Sequence, residues 1–198
     1  GYGLSETSPV ASFNVLERPK KPGSVGIPIE GVEFRLEDAE GKVVTELGER
    51  GEICIKGHNV MKGYYKRASA TEEAIKNGWF HSGDIGTVDE DGYYSIVDRK
   101  KDMIIRGGYN VYPREIEEVL YGHTAIAEAA VIGVPHEKHG EEVKAVIALK
   151  AGHEVTPDAV IAYCKEKLAA YKYPRIVEII DALPKGPTGK ILKRELRD

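Results

Sequence analysis

At 198 residues, with 41% apolar and 30% charged residues and a net charge of -4, the chain has the composition of a soluble globular protein, with room for one large or two small domains. Its basic residues are scattered, so it carries no nucleic-acid or acidic-membrane footprint, and no apolar run nears the roughly 18 residues of a membrane span or reads as a signal peptide. Cys54 and Cys164 match no metal spacing and sit in apolar patterns, so buried free thiols in a reducing compartment are expected rather than a disulfide.

The chain opens on Gly1 without a methionine, which points to a segment of a longer protein. Its first residues, Gly1-Tyr2-Gly3-Leu4-Ser5-Glu6-Thr7, combine an aromatic ring, two hydroxyls and a carboxylate. Such a set can stack a purine, bond a phosphate and hold Mg²⁺, which takes oxygen ligands, although turns use the same residue types. Up to about residue 98 the pattern is mostly strands. Val32-Glu33-Phe34-Arg35-Leu36 alternates with period two, Glu40-Gly41 marks a turn, and Gly51-Glu52-Ile53-Cys54-Ile55 resumes the alternation. One short helix interrupts them: Ser69 with Glu72 makes a capping-box signature, Ala74 and Ile75 continue it, and Asn77-Gly78 stops it. In Trp79-Phe80-His81-Ser82-Gly83-Asp84 the carboxylate of Asp84 follows a glycine, where it can accept bonds from ribose hydroxyls or fix a turn. Asp91-Gly92, between Thr87-Val88 and Tyr93 to Val97, signals a hairpin.

The run from Asp98 to Leu120 sets five cations (Arg99, Lys100, Lys101, Arg106, Arg114) around an apolar Met103-Ile104-Ile105 strand and the Gly107-Gly108 pair. It then opens a helix at Pro113, with Glu115, Glu117 and Glu118 near its positive end and Ile116, Val119 and Leu120 on one face. Beyond it helices and strands alternate. Strands are expected near 129–134 and 143–149, a helix over 157–170 capped by Thr156 with Val160, Ile161, Cys164 and Leu168 inward, and a strand over 176–180. The Pro184 to Lys190 loop is no Walker loop, since two residues instead of four separate Gly186 and Gly189 and Ile191 follows the lysine. Its glycines and prolines present Lys190 as a cation near the end of a compact α+β module. The histidines, His58, His81, His123, His136, His139 and His153, show no metal spacing, and no Ser-His-Asp nucleophile can be argued.

Taken in order, GYGLSE at 1–6, GERGEICIKGHNVMKGYYKR at 48–67, WFHSGDIG at 79–86, DRKKDMIIRGGYNVYPREIEEVL at 98–120 and PKGPTGKILKREL at 184–196 resemble the later motifs of adenylate-forming acyl-CoA synthetases, in particular fatty-acid–CoA ligases. The resemblance implies an α+β chain in which residues 1–98 are a strand-rich remnant of a large N-terminal domain of distorted β-barrel type, 99–101 a hinge and 102–198 a compact mobile α+β C-terminal domain. It places Tyr2 on adenine, Ser5 near the α-phosphate in a position usually held by Thr, Glu6 with Mg²⁺, and Asp84 and Arg99 on the ribose. Lys101 matches the hinge, Gly107 and Gly108 the passage for CoA, and Lys190 the lysine of adenylation. ATP, Mg²⁺, CoA and a carboxylic acid, a fatty acid foremost, are the implied ligands. The implied location is cytoplasmic, with peripheral membrane association of the parent and oligomer formation both open.

The family's phosphate loop and acyl pocket lie upstream of the residue matched by Tyr2, so this piece is expected to be inactive alone. An aryl- or other acid–CoA ligase and a peptide-synthetase adenylation domain remain alternatives within the family. A luciferase-like oxidation has less support, and the compact spacing from Glu6 to Asp84 leaves no room for the insertion of fatty-acyl-AMP ligases. A non-catalytic nucleotide-binding or interaction module is the alternative of a different class.

Overall fold

The structure is a computed structural model and describes residues 1–197. The chain divides into two compact units, Gly1–Lys100 and a second that begins at Lys101. Both mix strands with helices, giving an α+β chain rich in strand.

In the first unit β1 (Tyr2–Gly3), β2 (Val10–Phe13) and β3 (Ile27–Pro28) form a small antiparallel sheet. A six-stranded sheet follows, built from β4 (Val32–Glu37), β5 (Val43–Val44), β6 (Gly51–Gly57), β7 (Ile75–Lys76), β8 (Trp79–Val88) and β9 (Tyr94–Arg99). Its order is β5-β4-β6-β8-β7, with β9 also paired to β8. Alternation sends Val32, Leu36, Ile53, Ile55 and Phe80 to one face, where they bury against Ala11. The register sets Arg35, Cys54 and His81 side by side across β4, β6 and β8, and Glu37 opposite Glu52. Gly51 to Ile55 are therefore all buried, not alternately exposed as a period-two strand implies.

The short helix α1 (Ala68–Ala74) departs from expectation at both ends. Arg67 is its N-cap, Ser69 lies inside it, and no side chain caps it. Thr71 ties the segment down instead, accepting from the Tyr64 N–H at 2.9 Å and donating to the Arg67 carbonyl at 3.0 Å. Asn77 and Gly78, at φ 53° and 79°, form the two-residue turn of a hairpin between β7 and β8, so Ile75 is in a strand. Asn-Gly suits the doubly left-handed hairpin turn, and that local preference overrides helix continuation. The Asp91-Gly92 hairpin forms as expected, with the Asp89 carboxylate accepting from the N–H groups of Asp91 and Tyr93.

In the second unit β10 (Ile104–Arg106) and β11 (Tyr109–Val111) make a hairpin, followed by α2 (Pro113–Tyr121), β12 (Ile126–His136) and β13 (Gly140–Leu149). The helix α3 (Pro157–Lys167) then crosses to β14 (Ile176–Ile179), which pairs in parallel with β13. Thr156 caps α3 by accepting from the Ala159 N–H at 3.3 Å. The helix stops at Lys167, short of the expected 170, because Leu168 turns extended and packs its side chain on the core. Ile116 and Leu120 of α2 and Val160 and Cys164 of α3 cover Ala129, Val131, Val143, Ala145 and Ile147. Burying each large aliphatic side chain contributes about 1.5–3 kcal/mol. The opposite face, through Ala130 and Ala148, takes Leu183, Ile191 and Leu196 of the C-terminal segment. No helix among the described residues is long and apolar enough to cross a membrane.

Candidate functional site

The first unit brings three expected site residues together. The Asp84 carboxylate, 2% exposed, accepts from the Tyr2 hydroxyl at 2.6 Å on one oxygen and pairs with Arg99 Nε at 2.7 Å on the other. Asp84 and Arg99 face each other in the β8–β9 ladder, which fixes the pair. Half of the Arg99 side chain stays in solvent. Burial first, and then the bond to Asp84, push the Tyr2 hydroxyl far above its ordinary pKa, so it remains a proton donor. Its ring meets Phe34 edge-on, with centroids 6.3 Å apart.

An irregularity in β8 aims Asp84. Cys54 pairs with His81 and Glu52 with Ile85, so β8 advances four residues where β6 advances two. Ser82, Gly83 and Asp84 bulge from the ladder there, with Gly83 at φ 72°, a conformation open to glycine. The Ser82 hydroxyl accepts from the Asp84 N–H at 3.1 Å within the bulge.

Ser5 and Glu6 lie on the 3₁₀ turn Ser5–Thr7. Buried Thr7 locks it by accepting from the Leu4 N–H at 2.9 Å and donating to the Pro9 carbonyl at 2.8 Å, which leaves Ser5 exposed. Glu6, partly exposed, accepts from the Tyr64 hydroxyl at 2.9 Å on one oxygen.

Beside Asp84 lies a network that sequence reasoning missed. Glu52, 5% exposed, accepts from the Gly83 N–H at 3.0 Å on one oxygen, and on the other meets Lys100 Nζ at 2.9 Å and His81 Nδ1 at 3.1 Å. Burial works to raise the Glu52 pKa, but the bonds from Lys100, His81 and Gly83 outweigh it and hold the carboxyl below its usual range. Glu37, Cys54 and His81 bring metal-type ligand atoms within 4.8 Å of one another, a grouping invisible in spacing because three strands supply it. Those donors are already engaged, Glu37 with Arg35 and His81 with Glu52. Burial, then the Glu37 and Glu52 carboxylates, push the Cys54 thiol up to about 12, so it stays protonated. The cluster is a charge-balanced support. Only the pairing of Cys54 and His81 in alternating, adjacent strands could have hinted at it.

The second unit holds the remaining expected residues. Gly107 and Gly108, at φ 57° and 84°, are the two-residue turn between β10 and β11, and the Gly107 N–H donates to the His139 carbonyl at 2.8 Å. Lys190 is exposed on a closed turn: the Gly186 N–H donates to the Lys190 carbonyl at 2.9 Å, and Leu192 N–H to Pro184 at 2.8 Å. Ile191 packs into the back of the sheet and Lys185 pairs with Glu128, so the loop is fixed at both feet. The Lys190 ammonium has no ion-pair partner among the described residues. Lys101, also exposed, sits in the 3₁₀ turn Lys100–Asp102.

Residues 1–65 match the model of the AMP-binding enzymes, and residues 115–190 that of the AMP-binding enzyme C-terminal domain. The chain belongs to the AMP-binding enzyme family. Among its relatives in that family, the long-chain-fatty-acid–CoA ligase of Yersinia pestis is 50% identical over all 198 residues, and a feruloyl-CoA synthase of Amycolatopsis is 48% identical over an alignment of 200. The crystal structure of ATP-bound MatB from Rhodopseudomonas palustris superposes with a TM-score of 0.92 at 38% identity, over 99% of this chain and 39% of that one. The chain spans 35% of the length of the Yersinia ligase and 40% of the feruloyl-CoA synthase.

Proposed function

We propose that this chain supplies the ribose-binding edge and the small lysine-bearing unit of an AMP-forming fatty-acid–CoA ligase. The observation that carries the reading is the convergence of Tyr2 and Arg99 on the buried Asp84 carboxylate, from positions up to 97 residues apart in the chain. A carboxylate that keeps a half-exposed guanidinium beside it suits two neighbouring ribose hydroxyls, and the Tyr2 ring supplies a flat apolar face for adenine.

In this reading the acid's carboxylate attacks the α-phosphorus of ATP, pyrophosphate leaves, and the acyl-adenylate then passes its acyl group to the CoA thiol with release of AMP. The first step crowds negative charge at phosphorus, and an exposed ammonium such as Lys190 can oppose it. Ser5 faces solvent where it can meet the α-phosphate. The partly exposed carboxylate of Glu6 suits Mg²⁺, which prefers carboxylate and water oxygens and would neutralise polyphosphate charge there. Lys101 serves as the hinge at which the small unit turns, and the Gly107-Gly108 turn, bare of side chains, gives pantetheine close backbone approach. An aryl acid in place of the fatty acid is the second reading, and the 48% identity to a feruloyl-CoA synthase favours it over other acids.

The test is acid-dependent exchange of pyrophosphate into ATP by a protein carrying this chain at its relatives' full length. Exchange with fatty acids and loss of exchange in Lys190→Ala are expected. Exchange that persists at full rate in that variant would remove Lys190 from the adenylation step. Exchange with aryl acids alone would replace the fatty acid.

A further inference from the structure

We infer that Glu52, which meets no substrate in the reading above, is a positioning residue for the ribose pair, and that it acts through the chain neighbours of both partners. Gly83 directly precedes Asp84, and Lys100 directly follows Arg99. One buried carboxylate on β6 holds both neighbours, the first at 3.0 Å and the second at 2.9 Å. The β8 bulge gives this arrangement its purpose. Because β8 advances four residues for two of β6, Ser82, Gly83 and Asp84 lose their pairing with β6, Asp84 is held in the sheet on the β9 side alone, and the Glu52 side chain supplies a substitute for the lost β6 partner of Gly83. At the other end the bond to Lys100 fixes the end of β9, so the spacing between the Asp84 carboxylate and the Arg99 guanidinium is set from behind by a third side chain. His81, on Glu52 at 3.1 Å, keeps the shared oxygen oriented.

The inference rests on the proposed ribose role of Asp84 and Arg99, and the comparison separates the two. AMP and its 2′,3′-dideoxy analogue are titrated into the 198-residue chain by NMR, with the ratio of their affinities as the readout, since that ratio cancels contributions from adenine and phosphate. The chain is expected to prefer AMP about tenfold, the worth of a single charge-assisted hydrogen bond, and Asp84→Asn to lose most of that preference. No preference in the unsubstituted chain would overturn the ribose reading and this inference with it.

Given a preference, Glu52→Ala is expected to reduce it below about twofold, and Glu52→Gln, which keeps an oxygen for Gly83 but drops the charge facing Lys100, to an intermediate value. Should the alanine variant fail to fold, the near-isosteric glutamine variant carries the comparison. Glu37→Gln is the structural reference, since Glu37 is equally buried in the same network and bonds neither Gly83 nor Lys100. It is expected to melt lower while keeping the full preference. Retention of the preference in both Glu52 variants, or its loss in Glu37→Gln as well, would overturn the inference.

Discussion

The hydroxyl of Tyr2 and the carboxylate of Asp84, 82 residues apart in sequence, meet at 2.6 Å, so the residue proposed for adenine and the residue proposed for ribose are one bonded unit. Tyr2→Phe keeps the ring and frees one Asp84 oxygen. It is expected to cost about 1 kcal/mol of stability in urea unfolding and to leave AMP affinity within about twofold. Tyr2→Ala removes the ring, and calorimetry is expected to show about 1–3 kcal/mol of lost AMP binding. Equal affinities for the two variants would detach the ring from the nucleotide.

Arg99 compensates a buried charge. Arg99→Met leaves Asp84 with the Tyr2 bond alone, and a loss of about 2 kcal/mol is expected, less than for a fully buried pair because half of Arg99 is in water. Asp84→Asn in the Arg99→Met background should restore part of that loss, since the uncompensated charge is gone. A double-mutant cycle by urea denaturation checks the coupling, and strict additivity would contradict it.

In the second unit Arg106 holds Glu142 through Nε at 2.5 Å and Nη2 at 2.9 Å. Burial works to raise the Glu142 pKa, but the Arg106 bonds and the Val143 N–H prevail and hold it below its usual range. A carboxyl whose folded pKa is depressed contributes stability above its unfolded value, and loses it as pH falls through the folded value. The second unit should therefore weaken below about pH 4.5, where an unfolded glutamate begins to protonate. Glu142→Gln is expected to lower stability at pH 7 by about 1–3 kcal/mol and to flatten that acid limb. Melting curves between pH 3 and 7 check both effects, and an unchanged acid limb in the variant would assign it to other carboxyls.

The Gly107-Gly108 turn needs left-handed backbone at both positions. Alanine at either is expected to cost about 1–2 kcal/mol. Gly107→Asn, which makes the favoured Asn-Gly hairpin turn, should stay within about 0.5 kcal/mol of the original chain. Thermal melting of the three variants tests the strain. A cost for asparagine equal to that for alanine would mean that contact with His139, not φ, governs the site.

Lys190 is exposed and has no ion-pair partner among the described residues, so Lys190→Ala should leave melting unchanged within about 0.5 kcal/mol. At the relatives' full length the same change is expected to reduce pyrophosphate exchange about 10² to 10³-fold. Stability loss of comparable size would place the lysine in the fold and not in the chemistry.

Much of this was readable from residue order because it depends on neighbours. The helix that opens at Pro113, the Thr156 cap and the Asp91-Gly92 hairpin follow from local backbone preference and periodicity, and each formed as read. Where two local signals competed the reading failed. Ser69 with Glu72 suggested a cap and Asn77-Gly78 a helix stop, but the turn preference of Asn-Gly made a hairpin and drew Ile75 into it. The buried polar network was barely hinted at by Cys54 and His81 in successive strands, since Arg35, Cys54 and His81 meet only through the register of three strands.

The sequence by itself determined the family resemblance, the strand-rich and α+β halves and the residue types of the candidate site, because motifs and alternation are properties of adjacent positions. Only the tertiary structure decided that Tyr2 and Arg99 share Asp84, that a bulge frees Asp84 from β6 while β9 keeps it paired with Arg99, and that Glu52 stands behind both. Side chains from separate strands meet according to sheet register, and register is set by the packing of the whole sheet.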